Sequence, residues 1–327
     1  MPSTETVVIT GASSGVGRAT ARLFAEEGAK VALLARGDDG LQATADEVRA
    51  RGGEALALPV DVADHAQVED AARRVVDELG GIDVWINNAM TTVFAPFMRC
   101  APEEYRRATE VTYLGVVWGT RAALTHMIPR DAGTIIQVGS ALAYRGIPLQ
   151  SAYCGSKHAI KGFTESVRTE LMHYGHNIHV GMVQLPALNT PQFSHCRSKF
   201  DRHPQPVPPI YQPEVAAEAI QLAIRDCRRE LYVAWPTVMT IVANKLASGL
   251  VGRYLARKGV ESQLTDWPPD PSNEEGNLFS PVPGDPGAHG DFDERSRSWS
   301  PALWLNRHRA PLGAVAAGVL AVWALRR

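Results

Sequence analysis

Six short, nearly continuous apolar runs, at residues 6–10, 31–35, 55–60, 82–86, 134–138 and 178–183, alternate with stretches of helical periodicity. The helical stretches follow the glycines after residue 10 and recur near residues 41–50, 67–79, 103–126 and 151–174. Strands that are apolar throughout, rather than at every second position, must be covered on both faces. Strand–helix alternation supplies that cover and predicts a parallel, doubly wound α/β sheet in three α/β/α layers. A helix at residues 215–224 and a last strand at residues 230–234 would close the sheet, and no internal repeat is visible.

In such sheets ligands bind beyond the carboxyl ends of the strands. Chemistry-bearing residues gather there: Gly11 after the first run, Arg36 after the second, Asp61 after the third, Asn87 after the fourth and Ser140 after the fifth. The first run passes straight into Gly11-Ala12-Ser13-Ser14-Gly15-Val16-Gly17 and then a helix carrying Ala19, Leu23 and Phe24. Strand, glycine loop and helix together make a dinucleotide site, because glycines let the backbone approach a pyrophosphate and the helix N-terminus stabilises its charge.

The stretch 151–174 reads as one helix, with Ser151 as cap, Gly175 as stop and Ile160, Phe163, Val167 and Leu171 at helical spacing. At 100° per residue Tyr153 falls within about 20°, and Lys157 within about 60°, of the Ile160 line. A phenol and an ammonium on adjacent turns of an apolar face can act as a proton-transfer pair. The plainer alternative is a packed tyrosine with a snorkelling lysine.

Residues 10–17 (TGASSGVG), Asn87-Asn88-Ala89, Ser140 and Tyr153-Cys154-Gly155-Ser156-Lys157 together resemble the short-chain dehydrogenase/reductase family, over roughly residues 5–235. The resemblance implies a Rossmann-type sheet, a nicotinamide cofactor and hydride transfer at a carbonyl or alcohol carbon. It places Gly11, Ser13, Ser14, Gly15, Val16, Gly17, Asp61, Val62, Asn87, Ala89, Pro186 and Thr190 against the cofactor, with Tyr153 and Lys157. It makes Tyr153 the acid and base, Lys157 the charge that lowers the phenol's pKa and holds the ribose, and Ser140 the donor to the substrate oxygen. Where the family places an acid for the adenosine ribose, this chain has Ala35, followed by Arg36. A guanidinium pairs with a 2′-phosphate, so NADP(H) is expected over NAD(H). Stacking of Arg36 on adenine is the alternative, and Asp38 and Asp39 oppose the NADP(H) reading. Three positions depart from the family pattern. Thr112 replaces an asparagine of the proton relay, Met90 a glycine after Ala89, and Ala187 a glycine after Pro186. Slowed or rerouted proton delivery is expected from the first.

The formal charge of -2 gives no reason to expect nucleic-acid binding. Four cysteines without a CxxC, and no signal peptide, suggest reduced thiols in a cytoplasmic protein. His173, His176 and His179 straddle the stop at Gly175, so no metal site is expected. Residues 186–213 read as a substrate-binding lid, with Phe193, Phe200, Ile210 and Tyr211 as pocket candidates. After a catalytic domain at 1–235, a packing or dimer helix is expected at 236–260, consistent with a homo-oligomer. A proline- and glycine-rich linker or surface-laid segment follows at 261–305, then an apolar tail helix at 306–327. Residues 310–325 carry no charge and as a helix would cover about 24 Å against roughly 30 Å of hydrocarbon. A short membrane anchor is favoured there over a helix docked in a dimer groove. The rival to an enzyme acting on a small apolar molecule is an NADP(H)-binding assembly or sensor protein with little turnover.

Overall fold

The computed structural model describes residues 5–309. Seven strands form one sheet: β1 (Thr6–Thr10), β2 (Lys30–Ala35), β3 (Glu54–Pro59), β4 (Val84–Asn87), β5 (Gly133–Ser140), β6 (Ile178–Leu185) and β7 (Glu230–Tyr232). Their order is β7-β6-β5-β4-β1-β2-β3, and every neighbouring pair is parallel. This is the doubly wound arrangement, with strand order reversing between β1 and β4.

The period of two along a strand divides the core. Val7 and Ile9 of β1 join one apolar layer with Phe24, Leu33, Val48 and Ile220. Val8 between them joins the other, with Leu34, Val75, Trp85 and Met127. The first layer is covered by α1 (Gly15–Glu26), α2 (Asp38–Ala50) and a later helix (Pro213–Arg225). The second is covered by α3 (His65–Leu79), a broken helix, and the C-terminal part of α6 (Ser151–Tyr174). The broken helix is the stretch expected to be continuous at residues 103–126. It runs as α4 (Pro102–Thr109), one π-helical turn (Glu110–Leu114) and α5 (Gly115–Met127). The helix Pro213–Arg225 is α7. The expected bounds of α6 agree with those observed, although Gln150 occupies the cap position and Ser151 is the first helical residue. Gly175 ends α6 in the left-handed conformation at φ 73°.

A 24-residue helix, α8 (Trp235–Lys258), leaves the end of β7 and bends at Ala247. Residues 259–300 contain only three-residue turns and one two-residue strand, yet they are not a free linker. Gln263, Asn273, Leu278 and Phe292 are buried. The Asn273 amide donates to the carbonyls of Phe193, Ser194 and Cys196. Trp267 stacks on Phe292 at 5.5 Å. Proline and glycine keep this backbone irregular, while amides and aromatics pin it down. Ile210 and Tyr211, expected near a pocket, are buried in the core, where their two-residue strand pairs with Ser296–Arg297. The short helix α9 (Pro301–Arg307) is capped by the Ser300 hydroxyl. The apolar stretch 310–325 lies outside the described residues. Among the described residues no helix is long and apolar enough to cross a membrane.

Candidate cofactor cleft and active site

β1 delivers the chain into the glycine loop at the β1/β4 switch point. Gly11 has φ +67°, and a Cβ there would stand 2.8 Å from the Cα of Ala89. A Cβ on Gly17 would stand 2.2 Å from the carbonyl oxygen of Gly11. Both glycines are therefore required for α1 to start this close to the strand ends. The loop opens onto a cleft of about 190 Å³. Of the residues singled out from the sequence, Gly11, Ser13, Ser14, Gly15, Val16, Arg36, Asp61, Val62, Ala89 and Thr190 line it, with Met90 beside them. Gly17 lies beneath the loop, and Pro186 is not part of the lining.

Asn87 is a correction. Its amide donates to Thr120 Oγ1 at 3.1 Å and Gln137 Oε1 at 2.9 Å, and its oxygen accepts from Trp85 Nε1 at 2.8 Å. That buried network points away from the cleft, because the next residue takes the opposite face. Asn88 is that residue. Its Nδ2 donates to the carbonyls of Thr10 at 3.0 Å and Gly11 at 3.2 Å, so it fixes the glycine loop from across the switch point. Alternation from the buried Ile86 would have identified it.

Residues 277–287 form a strap over this cleft. Asn277, Pro281, Val282, Gly284 and Pro286 make one wall. Arg36 donates to the carbonyls of Leu278 and Phe279, each at 3.2 Å, and to that of Asn277. Arg107 pairs with Asp61 and donates to Leu278 O at 3.1 Å. Burial, and then the Arg107 charge, lower the pKa of Arg36, with Asp61 partly offsetting them. The Gly15 N–H donates to Gly287 O at 3.2 Å, and Gly284 N–H to Asp39 Oδ2 at 3.0 Å. Asp285 pairs with the buried Arg18, which also holds Glu47 at 2.9 Å. Strap carbonyls thus meet three donors at the cleft, Arg36, Arg107 and the Gly15 N–H.

Ser140 ends β5, and its Oγ accepts from Leu142 N–H at 3.1 Å, capping the turn Ala141–Ala143. Tyr153 and Lys157 stand one turn apart on α6. Lys157 Nζ lies 5.4 Å from the Tyr153 ring centroid and donates to Val138 O at 2.7 Å. Lys157 is 3% exposed, and burial brings its pKa down to about 8. Burial pushes the Tyr153 phenol above its ordinary value, while the neighbouring Ser140 hydroxyl works in the opposite direction. Desolvation is the largest influence on the phenol, and the Lys157 ammonium is turned toward the Val138 carbonyl. These three residues lie together at the sheet's carboxyl end but outside the lining of the 190 Å³ cleft. Thr112 sits in the π-helical turn. Its Oγ1 donates to Thr91 O at 2.8 Å and accepts from Thr91 N–H at 3.0 Å. Its one proton is committed to Thr91 and not to Lys157.

The profile of the short chain dehydrogenase family matches residues 5–200. The chain is 34% identical over 272 residues to the "uncharacterized oxidoreductase YxnA" of Bacillus subtilis, covering 83% of this chain and 76% of that one. It is 37% identical over 172 residues to dehydrogenase/reductase SDR family member 7 of Homo sapiens, covering 51% of each, so it spans about half the length of that relative. A solved short chain dehydrogenase/reductase from Burkholderia phymatum, in complex with NAD, superposes with a TM-score of 0.70. The match covers 76% of this chain and 96% of that one at 22% identity, and it speaks for the fold alone.

Proposed function

The chain belongs to the short chain dehydrogenase family, and on that premise we propose that it is an NADP(H)-preferring oxidoreductase in which Tyr153 is the acid and base. Its substrate is a small, apolar carbonyl compound or the matching alcohol. One observation carries the reading: a glycine cradle with no room for a Cβ and a half-buried Tyr153 beside the buried Lys157 lie at the same end of one parallel sheet.

The residues present fit a dinucleotide. The N-terminus of α1 faces the cleft, Ala35 brings no charge to its wall, and Arg36 and Arg107 stand near each other with Asp61 as their shared carboxylate. Two guanidinium groups against one carboxylate favour a 2′-phosphate over a bare ribose hydroxyl. When bound, the reduced nicotinamide supplies the hydride for the substrate's carbonyl carbon. Tyr153 gives its proton to the oxygen where negative charge develops. A phenol held above its usual pKa remains protonated at neutral pH, which suits reduction. Ser140 Oγ offers a second hydrogen bond to that oxygen. Lys157 supplies positive charge beside the ring and donors for a ribose. Phe94, Phe193 and Phe292 form an edge-to-face chain, with centroids 6.3 Å and 6.2 Å apart, that packs the covering segments together.

Oxidation of NADPH, followed optically across a panel of lipophilic ketones, tests the reading. Turnover with at least one ketone, faster with NADPH than with NADH, is expected. Tight NADPH binding without turnover on any member would favour the binding or sensor protein instead.

A further inference from the structure

The outer face of α8 has no partner within the described residues. Trp235, Met239, Val242 and Leu246 fall within an arc of about 60° at 100° per residue, and all four are exposed. Beyond the bend at Ala247, Leu250 and Tyr254 continue the exposed row. Leu246 is 82% and Leu250 62% exposed, values that fit neither a core residue nor a half-covered one. The opposite face is the one that packs. Thr237 and Ile241 are buried, Asn244 donates to Tyr144 O at 2.9 Å, and Arg145 donates back to Asn244 at 3.1 Å. Single exposed apolar side chains are ordinary, whereas a contiguous row marks an interaction surface.

The charges on α8 identify the partner. Lys245, Arg253, Arg257 and Lys258 are exposed, the helix contains no acidic residue, and none of these four is ion-paired among the described residues. A second copy laid on this face by a twofold axis would bring the same cations together, and interface cores are depleted of charge. An apolar row flanked by cations matches a bilayer surface, where the row enters the headgroup boundary and the long basic side chains reach the phosphates. We propose that α8 docks the protein onto membranes that carry anionic lipid headgroups. Since α8 packs on the corner that follows Ser140, docking would hold the sheet's catalytic end beside the lipid, where apolar substrates concentrate.

The test uses the full chain in flotation with phosphatidylcholine vesicles containing phosphatidylglycerol, and with phosphatidylcholine alone. Wild type should float with the anionic vesicles, less with the neutral ones, and less as salt is raised. The double variant Leu246→Glu/Leu250→Glu should lose about tenfold or more of that binding, and Lys245→Glu/Arg253→Glu should remove the preference for anionic vesicles. Unchanged thermal unfolding would show that both variants remain folded. Wild-type flotation retained by both variants would overturn the proposal, as would no flotation of wild type. A wild-type dimer in sedimentation equilibrium that Leu246→Glu/Leu250→Glu splits, without vesicle binding, would assign the face to a second copy.

Discussion

The backbone N–H of Gly15, at the start of α1, donates to the carbonyl oxygen of Gly287 at 3.2 Å, although 272 positions separate the two residues in the chain. The strap therefore uses a donor that a helix N-terminus otherwise offers to an anion. The cleft it leaves, about 190 Å³, is below the roughly 300–1,000 Å³ usual for ligand sites. A dinucleotide must displace the strap to enter, and the Arg18–Asp285 pair anchors it. Asp285→Ala should speed cofactor association by a few-fold, since one partly exposed ion pair holding the closed strap is lost. Stopped-flow binding measures this, and an unchanged association rate would show that the strap does not gate the cleft.

On the proposed reading, Arg36 is the residue that selects NADPH. Arg36→Ala should weaken NADPH binding by about 10- to 100-fold, the worth of charge-assisted bonds to a phosphate, and leave NADH binding within about twofold. Titration of nicotinamide fluorescence reads both affinities. Equal losses for the two cofactors would place Arg36 under the adenine instead of at a 2′-phosphate.

On the proposed reading, Tyr153 and the buried Lys157 set the pH dependence. Lys157 is depressed from 10.5 to about 8, so its ammonium is present below that value and lost as pH rises through it. The free-enzyme kcat/KM for reduction should then fall above about pH 8, by up to about tenfold per unit. Tyr153 is displaced upward, so oxidation, which needs the phenolate, should rise with pH up to about 8 and level off where the Lys157 ammonium is lost. For stability the Lys157 term has the opposite sign. The unfolded chain binds this proton more tightly, so between about 8 and 10.5 this group makes the fold more stable as pH rises. Steady-state pH profiles in both directions check the kinetic pair. A reduction profile flat to pH 10 would contradict it.

Thr112 is a structural tie in this chain. Thr112→Val keeps the shape but leaves the buried Thr91 N–H and C=O without their hydroxyl partner, at a cost of about 2–4 kcal/mol. Urea unfolding measures the loss. Thr112→Asn, which restores an amide with longer reach, should alter the pH profile of turnover. An unchanged profile would remove the proton-relay argument at this position.

Much of the scaffold was legible because strand burial and helix periodicity are local signals. The apolar runs matched every strand of the sheet to within two residues, and Gly175 marked the end of α6. The glycine loop was legible for a related reason: a strand that enters glycines before a helix leaves few geometries. What a sequence cannot show is which side of a strand end faces the cleft. Asn87 and Asn88 are chemically identical there, and one step of register decides between them. The strap was hidden because its proline, glycine and acidic residues resemble those of a solvated linker. Only the tertiary fold brings Gly287 to Gly15 and Leu278 to Arg36. The upward displacement of Tyr153 was not legible, because proximity to Lys157 is visible in a helix pattern, whereas desolvation is a property of everything packed around the phenol.

Replacement of one phenolic oxygen tests the central claim most directly. Tyr153→Phe keeps the ring beside Lys157 and removes only the proton donor. With a ketone that the wild type reduces, kcat should fall by about 100-fold or more while NADPH affinity stays within about twofold. A variant that turns over within a few-fold of wild type would show that the proton comes from elsewhere, and the account of this site would be wrong.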